Sequence, residues 1–120
     1  MNFLLDATAI LSNSSFKFDE KHNYYITPQI VNEFKDMRSR LFLESALRFH
    51  NLKIVEPEEE FMREAEKMNK NFELGVVDVS IVALAIEFKT RGIDFAVVTD
   101  NKKLQKLLAS LHIKFEGVIR

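Results

Sequence analysis

The chain has no cysteine. That excludes disulfides, cysteine-ligated zinc and thiol catalysis, and it sets the expected location as the cytoplasm. Only three glycines and two prolines interrupt 120 residues. They form no glycine-rich phosphate loop, which argues against a nucleotide-cradling enzyme. No apolar run reaches the length of a membrane span. Met1 leads straight into Asn2-Phe3-Leu4-Leu5-Asp6 with no basic stretch, which argues against a secretory leader. The net charge is -1, so the chain is not a globally basic nucleic-acid binder, and any basic surface has to be local. Internal repeats, low-complexity tracts and linkers are absent as well. The expectation is one domain spanning residues 1–120, large enough for a real core.

What is present is an alternation of short apolar runs and amphipathic stretches. Phe3-Leu4-Leu5 reads as a strand buried on both faces, as in parallel sheets. A short helix over Asp6 to Leu11 and a loop from Ser12 to His22 should come next, then a strand at Tyr24-Tyr25-Ile26. Thr27-Pro28 marks a helix start, with a hydroxyl cap and proline at the first helical position. The spacing predicts that this helix places Ile30, Phe34, Met37 and Leu41 on one face, with a second stretch over Leu41 to Phe49. Leu52 to Val55 reads as a third strand, and Pro57 with Glu58, Glu59 and Glu60 opens a further helix. Val79 to Lys89 is apolar nearly all round and should be buried, with Gly92 as its stop. Phe95 to Val98 reads as a central strand. Asp100 should cap a helix from Asn101 to about Leu111, and Ile113-Lys114-Phe115 is a last strand. The implied fold is a three-layer α/β/α sandwich with a mainly parallel central sheet.

Four acids stand at the punctuation marks of this pattern. Asp6 and Asp100 close strands, Asp78 opens the buried helix, and Glu33 sits at the edge of the Ile30/Phe34/Met37 face, where a partly buried position is expected. In open α/β sheets, sites form beyond the carboxyl ends of strands at a switch in strand order. Acids converging there, with no basic partner among them, would hold a divalent metal. Hard oxygen donors select Mg²⁺ or Mn²⁺ over zinc. Such carboxylates also repel one another, which raises some of their pKa values. Taken singly, Asp6, Asp78 and Asp100 also read as helix-start acids and Glu33 as an ordinary edge residue. Thr8 and Thr99 are placed either to orient the carboxylates or to satisfy turn backbone. Asp36 should point away from the apolar face.

His22, His50 and His112 lack metal-ligand spacing and read as surface or loop. The aromatics are mostly core by periodicity; Phe16, Tyr24 and Tyr25 are the candidates for stacking on bases. Lys35, Arg38 and Arg40, with Lys102, Lys103 and Lys106, flank the acids in sequence. They read as solvated helix faces that could also bind RNA phosphates.

The order and spacing of the acids resemble the PIN-domain nucleases over essentially the whole chain. The matching segments are Phe3-Leu4-Leu5-Asp6-Ala7-Thr8, Thr27 to Glu33, Gly75 to Ala85, and Val97-Val98-Thr99-Asp100. Within that family, Thr27 to Asp36, Leu52 to Pro57, Val98 to Gln105 and Ile113-Lys114-Phe115 look most like the archaeal Nob-type endonucleases, which mature the 3′ end of small-subunit ribosomal RNA. The resemblance implies a metal-dependent endoribonuclease that cuts single-stranded RNA to leave 5′-phosphate and 3′-hydroxyl ends. It implies Asp6, Glu33, Asp78 and Asp100 as catalytic and metal-site residues, with Thr8 and Thr99 in support. Nob-type proteins commonly carry a cysteine-rich zinc ribbon after this domain, which this sequence lacks. Gly75 stands where the family often has serine. Asn101 stands where a further acid is common, which should weaken a second metal site.

Other readings compete. A VapC-type toxin shares the fold and would partner a small antitoxin. A non-catalytic PIN module would bind RNA or protein as a scaffold, but the presence of all four acids speaks against it. A phosphate-accepting receiver domain would need an acidic pair after the first strand, and position 7 is alanine. An exposed apolar face would support a homodimer, and no membrane partner is expected.

Overall fold

In a computed structural model describing residues 1–11 and 16–118, the apolar runs form the strands of one sheet. These are β1 (Asn2–Leu5), β2 (Asn23–Ile26), β3 (Leu52–Ile54), β4 (Phe95–Val98) and β5 (Phe115–Glu116). The helices between them are α1 (Ala7–Leu11), α2 (Pro28–Val31), α3 (Met37–Phe49), α4 (Glu59–Met68), α5 (Val76–Thr90) and α6 (Lys102–Ser110), with a single 3₁₀ turn at Asn69–Asn71. Every pairing is parallel and the order is β3-β2-β1-β4-β5. The first strand is therefore central. The chain runs outward through β2 to β3, then crosses back to β4 and on to β5. Strand order reverses between β1 and β4.

Centrality explains the composition of these strands. Leu4 and Leu5 are buried, and so is every residue of β4, because both faces of the sheet are covered. Alternation along β2 sends its two tyrosines to opposite layers. Tyr25 meets Phe88 of α5 at 5.1 Å between ring centres, whereas Tyr24 meets Phe3 and Phe18, and Phe18 in turn reaches Phe42 of α3. Phe16 packs against Phe18 and Tyr24. These rings pack mainly edge-on against one another and the core, as periodicity suggests for most of the aromatics.

Helix α5 is the pillar of the domain. Residues Val79 to Phe88 are all buried. Even Glu87 is only 7% exposed. Its Oε1 accepts from the Glu58 N–H at 2.9 Å and its Oε2 lies 3.4 Å from Arg91 Nε, so the buried charge is satisfied on both sides. Gly92 ends the helix as expected: it has φ +72°, and Ile93 N–H reaches back to the Phe88 carbonyl at 3.0 Å.

Three expectations change. The helix begun at Thr27 stops at Val31 instead of running on to Leu41. Asp36, exposed as expected, starts a new helix by accepting from Ser39 N–H at 2.8 Å as its N-cap. Met37 and Leu41 are consequently 78% and 59% exposed, and α3 buries Leu43 and Ala46 instead. The cap of α6 is Asn101, not Asp100. The last strand forms at Phe115–Glu116, because Ile113 N–H is still bonded to Leu108 at the end of α6. Residues 12–15 of the expected loop lie outside the described residues.

Thr27 both caps and packs. Its hydroxyl accepts from Ile30 N–H at 3.3 Å and lies 2.7 Å from Ser80 Oγ, tying the start of α2 to α5 in a fully buried contact. Thr27→Ala removes a cap and strands part of a buried hydrogen-bond pair. The expected loss is about 1–3 kcal/mol, read as a lower urea midpoint at unchanged slope. An unchanged midpoint contradicts the assignment.

Candidate active site

Strands β1 and β4 end side by side, with Leu5 opposite Val98 as their last paired residues. Asp6 and Thr99 then leave the sheet together, and Asp6 N–H still bonds the Val98 carbonyl at 3.1 Å. Asp6 is 3% exposed. Its Oδ2 accepts from Thr99 Oγ1 at 2.7 Å and from Thr8 Oγ1 at 3.0 Å. Both expected supporting threonines therefore orient this carboxylate. They do so with neutral hydroxyl donors.

Asp78 arrives from the other side, in the first turn of α5, where the helix dipole favours an acid. It is half-buried, and its Oδ2 accepts from Asn101 Nδ2 at 3.0 Å. Burial, and next the charges of Asp6 and Glu33, push the Asp78 carboxyl up to about 6. Glu33 lies on the turn after α2. A longer helix would have left it partly buried, but it is exposed because that helix ends at Val31. The Thr27–Ser80 contact holds this turn beside the start of α5.

Asp6, Glu33, Asp78 and Asn101 line one cleft of about 610 Å³, together with Thr8 and the apolar walls Leu11 and Val76. Among the described residues, no lysine, arginine or histidine lines it. Nor do three acidic, histidine or cysteine side chains among them already surround one ion-sized point. The acids share a cleft and repel across it; they do not form a closed cage.

The cleft holds three of the four expected acids. Asp100 is absent from its lining. Successive residues leaving a strand point to opposite sides, so when Thr99 faces Asp6 its neighbour turns away. Asp100 Oδ1 accepts from Val118 N–H at 3.0 Å, close against Gly117, where an added Cβ would come within 3.0 Å of it. Asn101, one residue further, returns to the cleft. In sequence, Asn101 stands out only as a missing acid. The signal for its role is its place at the start of α6, where its Oδ1 accepts from the Lys103 and Leu104 N–H groups. Lys35, Arg38, Lys102 and Lys103 are exposed and outside the lining: the first pair comes after Glu33 in sequence and the second after Asn101. Arg40 Nε donates to the Phe34 carbonyl, and so serves the turn between α2 and α3. A second cavity of about 370 Å³, walled by Phe3, Phe16 and Tyr24, contains none of the four acids.

The family model for the PIN domain of ribonuclease matches residues 3–88. The chain belongs to the PIN-domain ribonuclease family. It is 32% identical over 121 residues to the endoribonuclease Nob1 of Pyrococcus abyssi, a match covering 98% of this chain and 72% of that protein. It is 31% identical over 97 residues to ribonuclease VapC3 of Aeropyrum pernix, covering 78% of this chain and 68% of that one. The PIN fold is also that of VapBC-1 from nontypeable Haemophilus influenzae, with a TM-score of 0.64 over the whole of both chains at 13% identity. For this PIN-domain ribonuclease, the acidic cleft thus lies where the strand order of the fold reverses. No helix among its described residues is long and apolar enough to cross a membrane.

The raised Asp78 pKa makes stability depend on pH. The carboxyl titrates near 6 in the fold against an ordinary 3.8, so the folded protein holds that proton more tightly than the unfolded chain. This contribution to stability therefore falls as pH rises from about 4 through about 6, and stays low above that. Asp78→Asn should stabilise the protein at pH 7.5 by about 1–2 kcal/mol, allowing for solvent screening at a half-buried site, and by almost nothing at pH 4. Urea unfolding at both pH values, with chelator present, reads the difference. Equal effects at the two pH values count against a repulsive cluster.

Proposed function

We propose that this chain, as a single PIN nuclease domain over residues 1–120, is a metal-dependent endoribonuclease that cuts single-stranded RNA in the 3′-end maturation of small-subunit ribosomal RNA. The observation that carries the catalytic reading is a cleft holding three carboxylates, with no cationic side chain among its described lining, at the strand-order switch. The donor set fits a divalent ion: hard carboxylate oxygens, with one carboxyl driven toward its neutral form by burial and the other two. Asp6 and Asp78 would hold the ion, with Glu33 reaching in from its exposed turn. Mg²⁺ and Mn²⁺ suit such ligands. When bound, the metal supplies charge neutralisation on the scissile phosphate and a more acidic water.

The protein's own residues do the rest. Thr8 and Thr99 fix Asp6. Leu11 and Val76 flank the cleft with apolar surface that a nucleotide can lie against. Lys35, Arg38, Lys102 and Lys103 lie outside it, where they can take backbone phosphates of an incoming strand. Asp100 accepts from Val118 N–H and so ties the end of β4 to the chain beyond β5. The ribosomal assignment rests on the identity to an endoribonuclease Nob1 over nearly the whole chain.

Cleavage of a single-stranded RNA should require Mn²⁺ or Mg²⁺ and stop with chelator. Asp6→Asn should lower the rate at least about 100-fold, as expected when a metal-holding group is lost. Asp100→Asn should cost clearly less than Asp6→Asn. Metal-independent cleavage, or an Asp6→Asn enzyme as active as wild type, defeats the nuclease reading; equal losses in both variants return Asp100 to the catalytic group.

The identity to VapC3 favours a second reading, a toxin ribonuclease held by a small antitoxin. Expression that arrests growth, with relief by a small protein encoded next to it, selects that reading. Accurate cutting of precursor ribosomal RNA without growth arrest selects the first.

A further inference from the structure

We propose that Asn101 is a positioning residue for Asp78, and that with Thr99 it forms one relay aiming both cleft aspartates. The inference rests on the metal-dependent reading of the cleft. Asp6 Oδ2 accepts from Thr99 Oγ1 at 2.7 Å, and that same hydroxyl oxygen accepts from Asn101 N–H at 3.0 Å. The Asn101 carboxamide then donates through Nδ2 to Asp78 Oδ2 at 3.0 Å. One short turn between β4 and α6 thus bonds both aspartates, each at Oδ2. Neither of these bonds engages Oδ1 of its carboxylate.

The orientation of the amide is set by its surroundings. Its oxygen is fixed by two backbone donors, Lys103 N–H at 3.0 Å and Leu104 N–H at 3.3 Å, which only an acceptor can meet. The nitrogen must therefore face Asp78. Helix capping alone does not call for asparagine, since serine, threonine and aspartate cap as well. What asparagine adds is a second, outward-facing N–H donor, long enough to cross to α5 while its oxygen stays on α6. A single hydroxyl engaged with the helix cannot do both. Nor would a lysine or arginine serve, because a fixed positive charge there would compete with a metal ion for the same carboxylate. A neutral donor to the outer oxygen of a metal-holding carboxylate orients it without that competition, and loss of such partners weakens metal binding about 10–100-fold.

Asn101→Ser and Asn101→Thr keep the cap and delete the donor. Mn²⁺ titration of the full chain, monitored by electron paramagnetic resonance, should show binding weaker by about 10-fold or more in both variants. Melting temperature without metal should hold. The Mn²⁺ concentration for half-maximal RNA cleavage should rise by the same factor, with KM for RNA unchanged. Should one variant fold poorly, the other carries the comparison. Mn²⁺ affinity equal to or tighter than wild type overturns the inference while leaving the nuclease reading intact. So does a loss of affinity that comes only together with a fall in melting temperature. Wild-type protein that binds no Mn²⁺ overturns both.

Discussion

The pairing of β1 with β4 is the constraint on which the rest of the molecule depends. It joins the first strand of the chain to one made near its end. Because Leu5 stands opposite Val98, Asp6 must stand beside Thr99, and the side-chain period of two then dictates the direction of each later residue. Thr99 faces the carboxylate, Asp100 turns to the strand on the other side, and Asn101 comes back. A slip of one residue would exchange the threonine for a second acid against Asp6. That slip is expensive because Asp6 is buried and would meet a like charge in place of a donor.

Helix α5 carries two acids that live under opposite rules. Glu87, toward its end, receives a backbone amide and an arginine, the ordinary treatment of a buried charge. Asp78, at its start, receives an amide and two like charges. One helix in one core thus shows both a structural carboxylate and one kept in electrostatic tension. Tension of the second kind is tolerated where a protein gains function from it, and here it is supported by ten consecutive buried residues of the same helix.

Much of this is legible in the sequence because it depends on short-range patterns. Uninterrupted apolar runs mark the parallel sheet, Thr27-Pro28 marks the cap of α2, and Gly92 marks the end of α5. Asp6 and Asp78 are legible because a strand end and a helix start each fix a position in space. The errors arise where a side chain competes with the backbone. Asp36 caps a new helix and so breaks a continuous periodicity, leaving Glu33 exposed on a turn. That Asp100 lies outside the cleft lining is not legible, because a strand-end acid carries no mark of which side of the sheet it leaves by. That side is set by the register of β4 against β1, at the opposite end of the chain.

A central first strand has a bearing on synthesis. As the chain emerges, β1 can pair with β2 early, but its other edge stays bare until residues 95–98 are made. Non-local parallel pairings of this kind are slow and come late in folding. Asp6 therefore exists long before the threonine that orients it, and the acidic cleft closes only once β4 has paired. A nascent chain thus has no assembled acidic cleft until β4 is made and paired with β1.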